Sequence, residues 1–171
     1  NLLVVDCADG VRYSSHPELK RHYTVPMIAL REVVKFSRAQ GIDVVPKLNF
    51  AKSGRNLHDQ WMAPHADQVS WMADFNKYWQ IADELIEELV GVCRPERFFH
   101  VGMDEDHYRS LPQYIEAIRI LRRLVAKHKL RTIIWNDSCH FKKTAIGQVH
   151  AEKCRATEEH LPRDVVHVLR S

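Results

Sequence analysis

The feature that most constrains this chain is a repeated alternation of five short, nearly continuous apolar runs with segments of helical periodicity. The runs are NLLVVD (1–6), IDVVPKLNF (42–50), FFHVGM (98–103), RTIIWND (131–137) and DVVHVL (164–169). Strands that read as unbroken apolar runs belong in the interior of a parallel sheet covered on both faces, which makes NLLVVD a buried strand. After the first run, Thr24 is predicted to cap a helix that tolerates Pro26 in its first turn and stops at Gly41. Met27, Leu30 and Val34 form its sheet-facing stripe, with Ile28 and Val33 added to the same side. A second helix is predicted near 74–91, with Ile81, Leu85, Ile86 and Leu89 as its stripe. Pro112 opens a third, with Ile115, Ile118, Leu121, Leu124 and Val125 turned inward, and a fourth spans about 148–160. Such alternation predicts an α/β architecture.

Two versions of that architecture compete: a TIM (β/α)8-type barrel and an open parallel α/β sheet. The first strand leads into CADGVRY, which lacks the GxGxxG spacing of a dinucleotide-binding turn and weakens the open form. Polar residues instead gather after each strand: Asp6 and Asp9, Lys47 and Asn49, Asp104 and Glu105, Asn136 and Asp137. In a barrel those positions converge on the mouth where the chemistry is done. Five strands do not close an eight-stranded barrel, so on this reading residues 1–171 form a single, partial barrel domain and a piece of a longer protein. An open arc exposes strand edges, which predicts self-association through them.

The 25 basic and 22 acidic residues are dispersed, with no basic block to track a phosphate backbone, which argues against nucleic acid. No apolar run approaches the roughly 20 residues needed to cross a bilayer, so no membrane partner is expected. Cys7, Cys93, Cys139 and Cys154 lie far apart without a CxxC pair, which argues against a structural zinc site and a disulfide framework.

The chemistry concentrates in FFHVGMDEDH (98–107), where a buried run ends in three acids flanked by histidines. If the strand continues to Met103, alternation puts Phe99, Val101 and Met103 on one face and Phe98, His100, Gly102 and Asp104 on the other. Adjacent carboxylates at a half-buried strand end suit acid–base work, because raising a Glu from about 4.3 to about 6 takes only roughly 2 kcal/mol. The bland reading has Asp104 capping the next element and Glu105 and Asp106 simply solvated. His100 is a proton donor, a ligand, or a core histidine; Trp135 is a sugar platform or ordinary core. Trp79 reads as core, and Trp61 in a polar loop as a contact surface. A metal site would need His100, Asp104 and His107 to converge, and HxxxDExH matches no familiar ligand spacing.

HVGMDED resembles the His-x-Gly-Gly-Asp-Glu motif of the glycoside hydrolase family 20 catalytic domain, the β-N-acetylhexosaminidases. LLVVD, HPELKRHYT, AQGIDVVPKLN, FFHVGMDED, IIWND and LPRDVVHVL follow in the same order. The resemblance implies strands 2 to 6 of a TIM barrel and an exo-acting glycosidase that removes terminal N-acetylhexosamine, with a carbohydrate partner and no metal or cofactor. It implies a substrate-assisted retaining mechanism, in which the sugar's 2-acetamido oxygen attacks the anomeric carbon. Glu105 would be the general acid/base and Asp104 the residue that orients the acetamido N–H. Trp135 would wall the acetamido pocket, and Asp6 and His100 match polar positions of the family. With the strand-end residues Asn49 and Asp137 these make the candidate substrate-binding set. The chain departs from the pattern where Met103 replaces the second glycine, which would narrow the pocket. It departs again at Lys47, Leu48, Asn49, Phe50, Ala51, Lys52 and Ser53, where the family reads Glu-x-Asp-x-Pro-Gly-His. The missing histidine deprives Asp6 of its usual relay partner unless His58 substitutes. A non-catalytic carbohydrate-binding relative and, further off, a metal-dependent hydrolase are the alternatives.

Overall fold

The computed structural model describes residues 1–51, 75–138 and 145–169. Five parallel strands form one sheet: β1 (Leu2–Asp6), β4 (Asp43–Lys47), β5 (Phe98–His100), β6 (Arg131–Asn136) and β7 (Val166–Leu169). Strands β2 (Val11–Arg12) and β3 (Val25–Pro26) pair separately beside them. The helices are α1 (Met27–Ala39), α2 (Phe75–Cys93), α3 (Leu111–Ala126) and α4 (Ala145–Glu158). In the large sheet the spatial order is the chain order, each strand joining parallel to its predecessor on the same side. A doubly wound open sheet reverses direction at a switch point, whereas a barrel does not, so the sheet is an arc of a β/α barrel.

The outer face of the arc carries the hydrophobic core. Val44, Leu48, Phe99, Val101, Met103 and Ile134 meet Leu30 and Val34 of α1, Leu85 and Leu89 of α2, and Ile118 and Leu121 of α3. Trp79 joins this core, and Cys7, Cys93 and Cys154 are buried free thiols. Gly41, at φ 71°, takes the left-handed conformation that ends α1, its N–H donating to Arg38 O at 2.9 Å. Ser110 caps α3, with the Gln113 side chain accepting the Ser110 N–H at 2.9 Å.

Several local expectations are corrected. Pro26, not Thr24, is the N-cap of α1; the Thr24 hydroxyl is engaged upstream, accepting from Arg21 N at 2.7 Å and donating to Asp9 O at 3.1 Å. Ile28 and Val33 are 58% and 43% exposed, because the buried stripe of α1 runs through Leu30, Val34 and Ser37. NLLVVD is not a doubly buried strand: β1 is the outermost member of the arc, and Leu2 and Val4 are 46% and 45% exposed. Strand β5 ends at His100 rather than 103, since Gly102 and Met103 turn left-handed at φ 73° and 76°. Lys52, Ser53, His58, Trp61 and Cys139 lie outside the described residues.

Candidate active site

The strand register assembles the inner face of the arc. Asp6 pairs with Lys47, Lys47 with His100, and His100 with Ile133, forming one row across four strands. Because neighbours in register on parallel strands project to the same side, side chains from sequence positions far apart stand together. The Lys47 ammonium donates to Asp6 Oδ2 at 2.6 Å, so the partner of Asp6 is a lysine from the adjacent strand. The Asp6 side chain is 48% exposed, and such a pair adds only about 0–1 kcal/mol; its consequence is the charge it places on the barrel wall.

His100 is 1% exposed. Gly102 N–H donates to its Nδ1 at 3.0 Å, which places the ring proton of the neutral form on Nε2. Burial pushes its pKa down to about 3, with the Lys47 ammonium adding to the effect against Asp6. The ring is therefore a neutral imidazole at ordinary pH. Trp135, half-buried, lies against it with ring centroids 5.1 Å apart and a tilt of 53°.

Beyond His100 the chain makes the turn that carries the acid pair. Gly102 is obligatory there, because a β-carbon at 102 would stand 2.6 Å from Asn49 Cα. Met103 and Glu105 are non-glycine residues in the left-handed region, at φ 76° and 51°, at a cost of about 1–2 kcal/mol each. Hydrogen bonds from three neighbouring elements hold the turn. Asn49 Oδ1 accepts the Met103 N–H at 3.1 Å, Tyr114 donates its hydroxyl to Met103 O at 3.1 Å, and Asp137 Oδ2 accepts the Glu105 N–H at 2.9 Å. Each is worth about 1 kcal/mol net, more where the acceptor is charged, which offsets the backbone strain. The Met103 side chain packs into the core and is wholly buried, so it does not narrow a pocket on the inner face.

Asp104 and Glu105 are both partly exposed at this turn, whereas Asp106 is not solvated at all. Asp106 is fully buried, in an ion pair with Arg109 and 3.6 Å from Lys153 Nζ. Arg109 reaches on to Phe50 O at 2.8 Å, and Lys153 donates to Arg109 O at 3.0 Å and to Asp106 O. The third acid of the run thus ties the turn to the end of β4 and to α4.

Asp137 is 3% exposed beneath the turn and also bonds His150 Nε2 at 3.1 Å. Burial opposes protonation of His150, but its hydrogen bonds to Asp137 and Cys154 outweigh it and raise the pKa to about 9. His107 stacks edge-on against His150, with centroids 5.1 Å apart. Among the described residues no group of three His, Cys, Asp or Glu side chains is arranged to hold a metal ion. A cavity of about 640 Å³ opens between the start of α3 and α4, lined by His107, Ser110, His150 and Lys153 and by none of Asp104, Glu105, Asn49 or Trp135.

Sequence reasoning singled out Asp6, Asn49, His100, Asp104, Glu105, Trp135 and Asp137, and every one lies on or beside this strand-end surface. Their arrangement is not uniform: Asp6, His100 and Trp135 line the inner face, Asn49 and Asp137 brace the acid turn, and the two acids cap it. The reading missed the Lys47 partnership, which aligning adjacent strand ends reveals, and His150, Lys153 and Cys154, whose i, i+3, i+4 spacing marks one helix face.

The fold of the arc is similar to part of several solved glycoside hydrolases. The particular barrel it matches is that of family 20. Over 99% of this chain it superposes on 41% of the family 20 β-N-acetylhexosaminidase of Streptomyces coelicolor A3(2), with TM-score 0.68 and 14% identity. It covers 100% of this chain and 29% of the Flavobacterium johnsoniae chitobiase, with TM-score 0.68 and 17% identity. A Streptomyces plicatus β-hexosaminidase variant in complex with its product GlcNAc matches with TM-score 0.69 and 14% identity, over 99% of this chain and 40% of that one. The chain thus spans well under half the length of these neighbours, and the likeness establishes its fold as part of their TIM barrel. No family model and no curated protein matches the sequence itself.

Proposed function

We propose that this chain is the acid-pair segment of a glycosidase that removes terminal N-acetylhexosamine by a substrate-assisted retaining mechanism. The observation that carries the reading is the braced turn itself: two adjacent, partly exposed carboxylates at the end of the central strand, held in a strained conformation by three neighbouring elements. Strain of this kind persists where geometry is needed for chemistry. The fold neighbours include hexosaminidases, several of them holding GlcNAc, which supports the substrate class.

In this reading the protonated Glu105 gives its proton to the glycosidic oxygen as the C1–O bond breaks. The acetamido carbonyl oxygen attacks C1 from the other face, forming an oxazolinium whose N–H is held by the Asp104 carboxylate. Glu105, now ionised, removes a proton from water as that water adds to C1 and reopens the ring, which restores both groups. Asp104 must stay charged while Glu105 exchanges a proton, and so the two carboxylates occupy different positions on the turn. Trp135 and the Nε2–H of His100 offer an apolar wall and a donor on the adjoining inner face.

The test is turnover of aryl N-acetyl-glucosaminide and N-acetyl-galactosaminide by the complete gene product. Glu105→Gln is expected to lower kcat by about 10²–10⁴-fold, the usual contribution of a general acid, with no effect of chelator. The engagement of Asp6 by Lys47 favours a second reading, a sugar-binding relative without turnover. Retained sugar affinity in a protein with no hydrolysis would select it.

A further inference from the structure

We propose that Asp137, clamped by His150, is a positioning residue that sets where the Asp104 and Glu105 carboxyls stand; the proposal rests on the reading that Glu105 is the acid/base. Sequence position alone puts Asp137 among the substrate contacts at the barrel mouth. Its surroundings point elsewhere, since at 3% exposure it lies under the turn and its Oδ2 is shared by the Glu105 N–H at 2.9 Å and His150 Nε2 at 3.1 Å. The N–H it holds belongs to the Asp104–Glu105 peptide plane. Fixing that plane orients the Cα–Cβ bonds of both acids at once, which matters because Glu105, at φ 51°, occupies a region that side-chain-bearing residues leave when nothing holds them.

The clamp is itself immobilised. His150 is 4% exposed, packed edge-on against His107 and Tyr114 at centroid distances of 5.1 and 6.4 Å, with Cys154 Sγ 3.5 Å from its Nε2. Tyr114 closes the circuit through its bond to Met103 O, and Lys153 stands over the Tyr114 ring at 4.8 Å. Asp137, just past β6, therefore holds the Glu105 N–H, Tyr114 of α3 holds the carbonyl of the preceding peptide, and His150 of α4 holds Asp137. His150 Nε2 meets the same Asp137 oxygen that accepts the Glu105 N–H, so the buried carboxyl group is held from a second side.

The experiment compares Asp137→Ala, Asp137→Asn and His150→Gln with wild type and Glu105→Gln in the complete gene product. It reads kcat and KM on the aryl N-acetyl-glucosaminide and the amide proton shift of residue 105 in 15N-labelled protein. Misplacing a catalytic group by about 1 Å costs on the order of 100-fold, so Asp137→Ala is expected to lower kcat about that much with KM within about threefold. The Glu105 amide proton moves upfield. Asp137→Asn keeps an oxygen that can accept the N–H and regains most of both; His150→Gln, which keeps a donor for Asp137, falls between. An Asp137→Ala protein with wild-type kcat, or with unchanged kcat and a KM raised tenfold, overturns the proposal, the second result marking a substrate contact. If wild type lacks turnover or Glu105→Gln retains it, the glycosidase reading fails by itself. The amide shift still decides the clamp: unmoved in Asp137→Ala it overturns the proposal, moved it upholds the fixing of that peptide. Should Asp137→Ala fail to fold, the same two readouts in Asp137→Asn and His150→Gln decide, wild-type values in both overturning the clamp.

Discussion

Two buried histidines of this chain are shifted in opposite directions, because burial lowers both and only one has partners that outweigh it. Burial, with the Lys47 ammonium adding to it, depresses the pKa of His100 to about 3, whereas the hydrogen bonds of His150 to Asp137 and Cys154 overcome burial and raise it to about 9. Between about 3 and 6.5 the unfolded chain binds a proton at residue 100 that the folded chain refuses, so His100 makes stability fall as pH drops through that window. His150 acts in the other direction: its contribution is complete below about 6.5 and is lost as pH rises toward about 9. Chemical denaturation across pH is therefore expected to give a maximum near neutrality. His100→Phe should flatten the acid limb and His150→Phe the alkaline limb, and an unchanged limb in either variant would contradict the assigned environment. Met103 shows the same competition in backbone terms: its left-handed φ costs about 1–2 kcal/mol, while full burial of such a side chain returns about 1.5–3. The sequence motif marks where glycine is replaced, but only the packing shows why methionine is tolerated there.

At the level of elements, the turn between β5 and α3 is held by charge as much as by hydrogen bonds. Asp106 lies fully buried between Arg109 and Lys153, and Arg109 extends the link to the end of β4. Removing one partner of a buried ion pair leaves uncompensated charge and costs about 3–5 kcal/mol. Asp106→Asn is thus expected to lower the unfolding free energy by about that amount and to increase hydrogen exchange at Met103 and Glu105, whereas Asp104→Asn, at a partly exposed position, should change stability by less than about 1 kcal/mol. Equal losses in the two variants would remove the distinction between them. DED reads in sequence as three equivalent acids. Which of the three is buried depends on Lys153, 47 residues later, and on the end of β4.

For the whole molecule, the arc leaves apolar surface at both ends. Leu2 and Val4 on β1 and Leu169 on β7 are 46%, 45% and 59% exposed, and Phe36 on α1 is 70% exposed. Edge strands with free pairing groups and apolar side chains template association. Produced by itself, the 171-residue chain is expected to sediment as oligomers and to unfold with low cooperativity; a monomer with a sharp transition would contradict this. The parallel arc, its helices and the strand-end acids were legible in the sequence, because apolar periodicity and the step from buried run to polar loop are local properties. Local pattern could not say that Asp6 would meet Lys47, that Met103 would enter the core, or that Asp137 and His150 would stand under Glu105. Those pairings join positions 32 to 54 residues apart or depend on register between strands, and register is decided only when the whole sheet packs against its helices.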